Sequence, residues 1–199
     1  MTGPRRVRLW WLVLTFLGGM AMAMVAEELI LRAQGNRLEF LAPRVHYLTG
    51  RPLARMKNSE AVMFDFKVKL VGADAKVLRE SVASFVISYA LWEDRFKVVK
   101  VLPGRKDSPK GLTANEAEAW CVREMSLDVA GIAGNQPLWA RMEIRGPGER
   151  ERALFSKPDD DGISLRGLID RLSRLPQATQ PHWELENGPV TLDQLRRGG

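Results

Sequence analysis

Alternating apolar and polar side chains mark the segment from Glu60 to Leu102 as the centre of the fold. Its first apolar positions recur at every second residue: Val62, Phe64, Phe66, Val68 and Leu70. The polar residues between them are Asp65, Lys67 and Lys69. Because successive side chains of a strand point to opposite faces, this pattern predicts one buried face and one face in water. A second alternating run leads to a turn at Trp92, and a third run follows it and ends at Val101. Successive strands joined in this way predict a β-meander.

The segments on either side of this meander add further strands. Leu38 to Leu48 is expected to be a first strand that bends at Pro43, at a sheet edge where the missing N–H is tolerated. Residues 50–59 are expected to form an irregular basic connector. Residues 138–145 alternate again and predict another half-buried strand. The residues expected to be buried together are Phe64, Phe66, Val68, Phe85, Ile87, Tyr89 and Ile144.

Two amphipathic helices are predicted, near 113–125 and 164–175. The first opens with a capping box, in which Thr113 caps the Glu116 N–H and Glu116 reaches back. The apolar stripe of the second consists of Leu165, Leu168, Ile169, Leu172 and Leu175. Residues 176–199 are expected to be an extended, partly disordered tail.

These elements predict a mainly β, α+β fold. Its domain covers residues 38–175, as an antiparallel β-sandwich or strongly twisted sheet with the two helices packed on it. An N-terminal signal or anchor helix precedes this domain.

Residues 1–26 have the composition of an export signal. The cations before the first apolar run are Arg5, Arg6 and Arg8. Leu9–Ala26 is uncharged, and Ala21-Met22-Ala23 matches an A-x-A cleavage site. The same run is just long enough to span a bilayer, so a cleaved signal peptide and a retained signal anchor are alternatives. In the second case residues 29–31 could extend the helix until residues 35–36 cap it. The chain is expected to be periplasmic or anchored to the outer face of the inner membrane.

The net charge of +6 does not predict nucleic-acid binding. The leader arginines and the terminal pair Arg196 and Arg197 supply most of the excess, which leaves the domain nearly balanced.

Candidate catalytic and metal-binding residues are few. His46 and His182 have no Asp, Glu, Cys or His at a recognisable ligand spacing, and no nucleophile or phosphate-binding motif is present. Cys121 is the single cysteine and shares a helix face with Trp120, so it is predicted to be buried and unreactive. No catalytic residue, cofactor or metal is therefore predicted.

Asp159, Asp160 and Asp161 precede Gly162 and suggest a calcium loop, but they are contiguous rather than alternating. A solvated loop before a helix is the preferred interpretation, because a helix N-terminus favours nearby carboxylates. They support the alternative function, a cryptic envelope hydrolase or a calcium-binding module.

The preferred function is a non-catalytic binding or scaffold module in the cell envelope. Its partner is expected to be another envelope or inner-membrane protein, with membrane contact through residues 9–26 if the leader is retained. The candidate partner-binding residues are Trp92, Arg105, Lys106, Lys110 and Trp183.

Four stretches of the chain resemble an uncharacterised family of small exported bacterial proteins. They are V-M-F-D-F-K-V-K-L from Val62, S-F-V-I-S-Y-A-L-W-E-D-R-F-K-V from Ser84, L-I-D-R-L-S-R from Leu168 and W-E-L-E-N-G from Trp183. The resemblance implies an envelope location and a small β-rich domain. It implies no catalytic residues.

Overall fold

A computed structural model of the protein describes residues 29–148, 165–174 and 180–198. Within these ranges the chain forms two antiparallel sheets and four helices. The strands are β1 (Ile30–Gln34), β2 (Arg37–Leu41), β3 (Val62–Gly72), β4 (Val77–Ala90), β5 (Arg95–Leu102), β6 (Lys106–Asp107), β7 (Ser126–Asp128), β8 (Leu138–Arg145) and β9 (His182–Val190). The helices are α1 (Gly50–Lys57), α2 (Ala114–Arg123), α3 (Leu165–Ser173) and α4 (Leu192–Arg197). The predicted mainly β, α+β class is confirmed, whereas the predicted leader helix lies outside the described residues.

The predicted meander is the middle of the larger sheet, whose strand order is β6-β5-β4-β3-β8-β9. The smaller sheet has the order β1-β2-β7. In the larger sheet Phe64 lies opposite Phe85 on β4, and Phe66 lies opposite Ile144 on β8. This register places the apolar residues of three strands on one face, as the alternation predicts.

The main core lies between that face and the smaller sheet together with α2. Six of the seven residues expected in it are fully buried, namely Phe64, Phe66, Val68, Phe85, Ile87 and Ile144. Tyr89 is half-buried and packs against Phe96 with 5.0 Å between ring centroids. The Phe66 and Phe85 rings meet edge to face at 5.0 Å, and Trp120 of α2 extends the cluster.

The opposite face of β3 is not in water, which corrects the prediction for Asp65 and Lys67. Their relative exposures are 1% and 8%. Helix α3 contacts both β3 and β4 on this side, where Leu168 and Leu172 pack against Val82. The alternating pattern separates the two faces of the strand, but it does not show whether the polar face is exposed. Here a helix from a distant part of the chain covers that face.

The N-terminal segments also differ from their predictions. Residues 30–34 form strand β1 rather than an extension of a leader helix, because Gly35 at φ +59° allows a tight turn into β2. Strand β2 ends at Leu41 and is paired on both sides, so it is not an edge strand. The expected irregular connector at 50–59 contains α1, whose Pro52 lies in the first turn, where proline is tolerated.

Both predicted helices are present. The capping box of Thr113 and Glu116 forms at the start of α2. On α3, Leu168 and Leu172 are buried, but Ile169 is 45% exposed and does not belong to the packed stripe.

The expected disordered tail is corrected for residues 180–198. Strand β9 pairs with β8, and α4 follows it with a capping box between Thr191 and Gln194. Leu185 and Leu192 are both buried in the main core. The tail is polar in composition, yet these few apolar residues are enough to pack it onto the sheet.

Candidate functional site

Trp92 lies at the tip of the β4–β5 hairpin and its side chain is fully exposed, with a relative exposure of 101%. The neighbouring Leu91 is 52% exposed. β3 begins at Val62, opposite Ile87, so the last three residue pairs of the hairpin extend beyond it. An exposed tryptophan beside an exposed leucine is an apolar surface of the kind that protein interfaces use.

The hairpin tip has a defined conformation. The Tyr89 hydroxyl donates a hydrogen bond to the Asp94 carboxylate, and this bond is the main reason why the pKa of Tyr89 is raised. Arg95 donates to the Asp94 carbonyl at 3.0 Å, and Asp94 has a φ of +51°. The backbone that carries Trp92 is therefore held by its own neighbours.

The basic residues of the 103–112 loop are exposed, but two of them are already paired. Lys106 donates to Glu124 at 2.5 Å, and Arg105 lies 3.5 Å from Asp107. The loop also pairs with β5: β6 lies against it, and Leu112 exchanges backbone hydrogen bonds with Phe96. The loop is part of the sheet edge rather than a free arm.

Trp183 is half-buried on β9. Its ring lies 6.0 Å from the Tyr47 ring and 6.5 Å from the Phe64 ring, measured between centroids. The Trp183 ring therefore packs against the aromatic residues of the core and does not form an exposed contact surface. The five candidate partner-binding residues therefore lie in three separate places: the hairpin tip, the β6 edge and the β9 edge.

A polar cluster that sequence reasoning missed joins residues 46–48 to α2. Glu118 is 5% exposed and accepts the Leu48 N–H at 2.7 Å. Its other carboxylate oxygen lies 3.0 Å from His46 Nδ1. The Tyr47 hydroxyl donates to the Glu118 carbonyl at 3.3 Å, next to the thiol of Cys121.

The predicted burial of Cys121 is confirmed, since it is 0% exposed. Burial, partly offset by a hydrogen bond from Tyr47, raises the pKa of its thiol to about 12. Burial also raises the pKa of Tyr47 well above its ordinary value. Because the thiolate is the nucleophile, these surroundings do not activate the cysteine.

His46 and Glu118 are 72 positions apart in sequence. Short-range ligand spacing therefore cannot detect the pair. One sequence signal existed: Glu118 lies between Ala117 and Trp120 on a helix that is predicted to pack on the sheet, where a carboxylate needs a partner.

The His46–Glu118 pair borders a cleft of about 220 Å³ between residues 41–46 and α2. Its apolar wall is formed by Leu41, Ala42, Pro43, Val45 and Ala119. The cleft thus combines an apolar wall with a nearly buried carboxylate.

The remaining candidate residues lie outside the described ranges or away from this cleft. Asp159–Asp161 lie outside the described residues, as do residues 1–28, and His182 is exposed on β9. In the part of the chain that is described, no helix is long and apolar enough to cross a membrane. Among those same residues, no group of three or more His, Cys, Asp or Glu side chains is placed to hold a metal ion.

The predicted resemblance to an exported bacterial family stays a prediction. Comparison with known proteins finds no matching family model, no matching curated protein and no matching solved structure.

Proposed function

We propose that the protein is a non-catalytic binding or scaffold module of the bacterial cell envelope, and that the tip of its β4–β5 hairpin contacts a partner protein. The observation that carries this proposal is the full exposure of Trp92 on an ordered turn. Tryptophan is among the residues that contribute most to protein interfaces, because it buries a large area for few rotatable bonds.

The position of the hairpin supports a protein partner over a lipid surface. The carbonyl of Leu29 accepts a hydrogen bond from the Asn187 side chain. In the sheet, Asn187 pairs with Ala140, and Ala140 pairs with Leu70. Leu29 is therefore near the Gly72 end of β3. The hairpin tip is at the other end of the sheet, roughly 35 Å away at about 3.3 Å per residue. A chain held in the membrane by its leader would then carry Trp92 at the end far from Leu29.

Photocrosslinking tests the contact directly. A benzophenone amino acid replaces Trp92 in the full-length chain, which is then irradiated in bacterial envelope extract. We expect one discrete adduct, which excess wild-type protein competes away. A matched control carries the same group at Val77, which is 43% exposed and lies near the opposite end of β4.

The variant Trp92→Ala provides the second measurement. It should lose the partner in co-purification, while its free energy of unfolding in urea stays within about 0.5 kcal/mol of the wild-type value, because the side chain contacts water. Equal adducts at positions 92 and 77, or equal recovery of the partner by Trp92→Ala, would contradict the proposed contact.

The envelope location has its own test. After cell fractionation, periplasmic protein that starts after Ala23 supports a cleaved signal peptide, whereas detergent-only release of the full-length chain supports the anchor. Cytosolic recovery with an intact leader would contradict both.

A further inference from the structure

A nearly buried carboxylate borders the cleft beside α2. The Glu118 side chain is 6% exposed, and among the described residues its one ion-pair partner is His46. An ammonium group pairs with a carboxylate and also donates hydrogen bonds to it, so a cationic ligand is favoured at this position.

The carboxylate also has acceptor capacity left. One oxygen accepts the Leu48 N–H and the other faces His46 Nδ1. A carboxylate has about four acceptor positions, so these two contacts do not exhaust its capacity to accept hydrogen bonds. A primary ammonium group supplies three donors and a full charge.

The remaining wall of the cleft selects the body of the ligand. Apart from Asn115, the remaining residues that line this space of about 220 Å³ are apolar: Leu41, Ala42, Pro43, Val45 and Ala119. An apolar cavity of about 150 Å³ is large enough for benzene, so this space suits a slightly larger apolar group. It is small compared with clefts for drug-sized ligands, which begin near about 300 Å³.

We propose that this cleft binds a small primary amine with a compact apolar body, with the ammonium group on Glu118 and the body against Val45 and Ala119. The site is separate from the hairpin tip, since Trp92 does not contribute to it. The proposed amine site can therefore be tested independently of the proposed partner contact.

An NMR titration of the full-length chain with benzylamine tests this proposal. We expect saturable shifts of the backbone amides of residues 42–46 and 115–119. Benzyl alcohol, which has the same shape without charge, should bind more weakly, and benzoate more weakly still. Equal binding of benzylamine and benzyl alcohol, preferred binding of benzoate, or shifts elsewhere in the chain would overturn the proposal.

Two variants separate the charge from the shape. Glu118→Gln keeps one acceptor oxygen and should weaken benzylamine binding about tenfold to a hundredfold, because the ammonium loses a charged acceptor. Ala119→Phe should abolish binding by filling the cleft, while Arg123→Phe adds the same ring to an exposed position of α2 outside it. Since Ala119 is exposed, this variant remains informative even if Glu118→Gln does not fold. Unchanged binding by Ala119→Phe would place the ligand elsewhere and refute the site.

Discussion

Replacing Leu192 with alanine tests whether the C-terminal segment is part of the core. Leu192 is 0% exposed at the first position of α4. The change removes three buried carbon atoms, at about 0.8 kcal/mol each, and leaves a cavity that the neighbours fill only in part. We expect a loss of about 2–5 kcal/mol, a large share of the roughly 5–15 kcal/mol that stabilises a domain.

Urea unfolding of the full-length chain, followed by circular dichroism, measures this loss. With a slope of about 2 kcal/mol per molar, in the middle of the usual range, the midpoint should fall by roughly 1–2.5 M. Glu184→Gln is the matched control, because Glu184 is exposed on β9 and its change should stay within about 0.5 kcal/mol. If the two variants unfold at the same urea concentration, Leu192 is not packed in the core and the reasoning fails. Truncation after residue 175 removes Leu185 as well and should leave the chain largely unfolded.

Further outcomes follow from three buried groups, Glu118, Ser84 and Cys121. Glu118→Ala should lower the free energy of unfolding in urea by about 1–3 kcal/mol, because it leaves a buried backbone N–H without its acceptor. His46→Ala should lower it by less than about 1 kcal/mol, because the His46 side chain is half exposed. Ser84→Ala should cost about 1–3 kcal/mol in thermal unfolding, because the Ser84 hydroxyl donates to the buried Asp65 carboxylate at 2.5 Å, and an unchanged midpoint would contradict that bond. Cys121 should resist thiol reagents at pH 8 until denaturant is added, and rapid labelling of the folded chain would show an accessible thiolate. The pKa of the Cys121 thiol is raised from 9.0 to about 12 in the folded state, so stability should be unaffected by this group below about pH 9 and should fall as the pH rises towards 12. Cys121→Ala should make that alkaline decrease smaller but not remove it, because the pKa of the buried Tyr47 is raised as well.

Local patterns were sufficient for four strands of the larger sheet, β3, β4, β5 and β8. The two-residue period of Val62 to Leu70 identified β3 and the side chains that face the main core, because a strand exposes alternate residues to opposite sides. The capping box at Thr113 located the start of α2 for a similar reason, since its hydrogen bonds join residues three positions apart. The burial of Cys121 followed from its position on the apolar face of that helix.

Contacts between distant residues decided the remainder. The polar face of β3 is buried at Asp65 because α3, about a hundred residues later, packs over it, and no local pattern records which helix covers which face. The His46–Glu118 pair exists because the smaller sheet brings the segment after β2 to α2.

The C-terminal segment shows the same division. The sequence predicts an extended chain for residues 176–199, and β9 is extended. Its attachment depends on β8 offering a free edge and on a gap in the core that Leu192 fills. Sequence determined the conformation of these residues through local sterics and polarity. Their burial was decided by tertiary structure, because burial depends on the surfaces that distant parts of the chain leave uncovered.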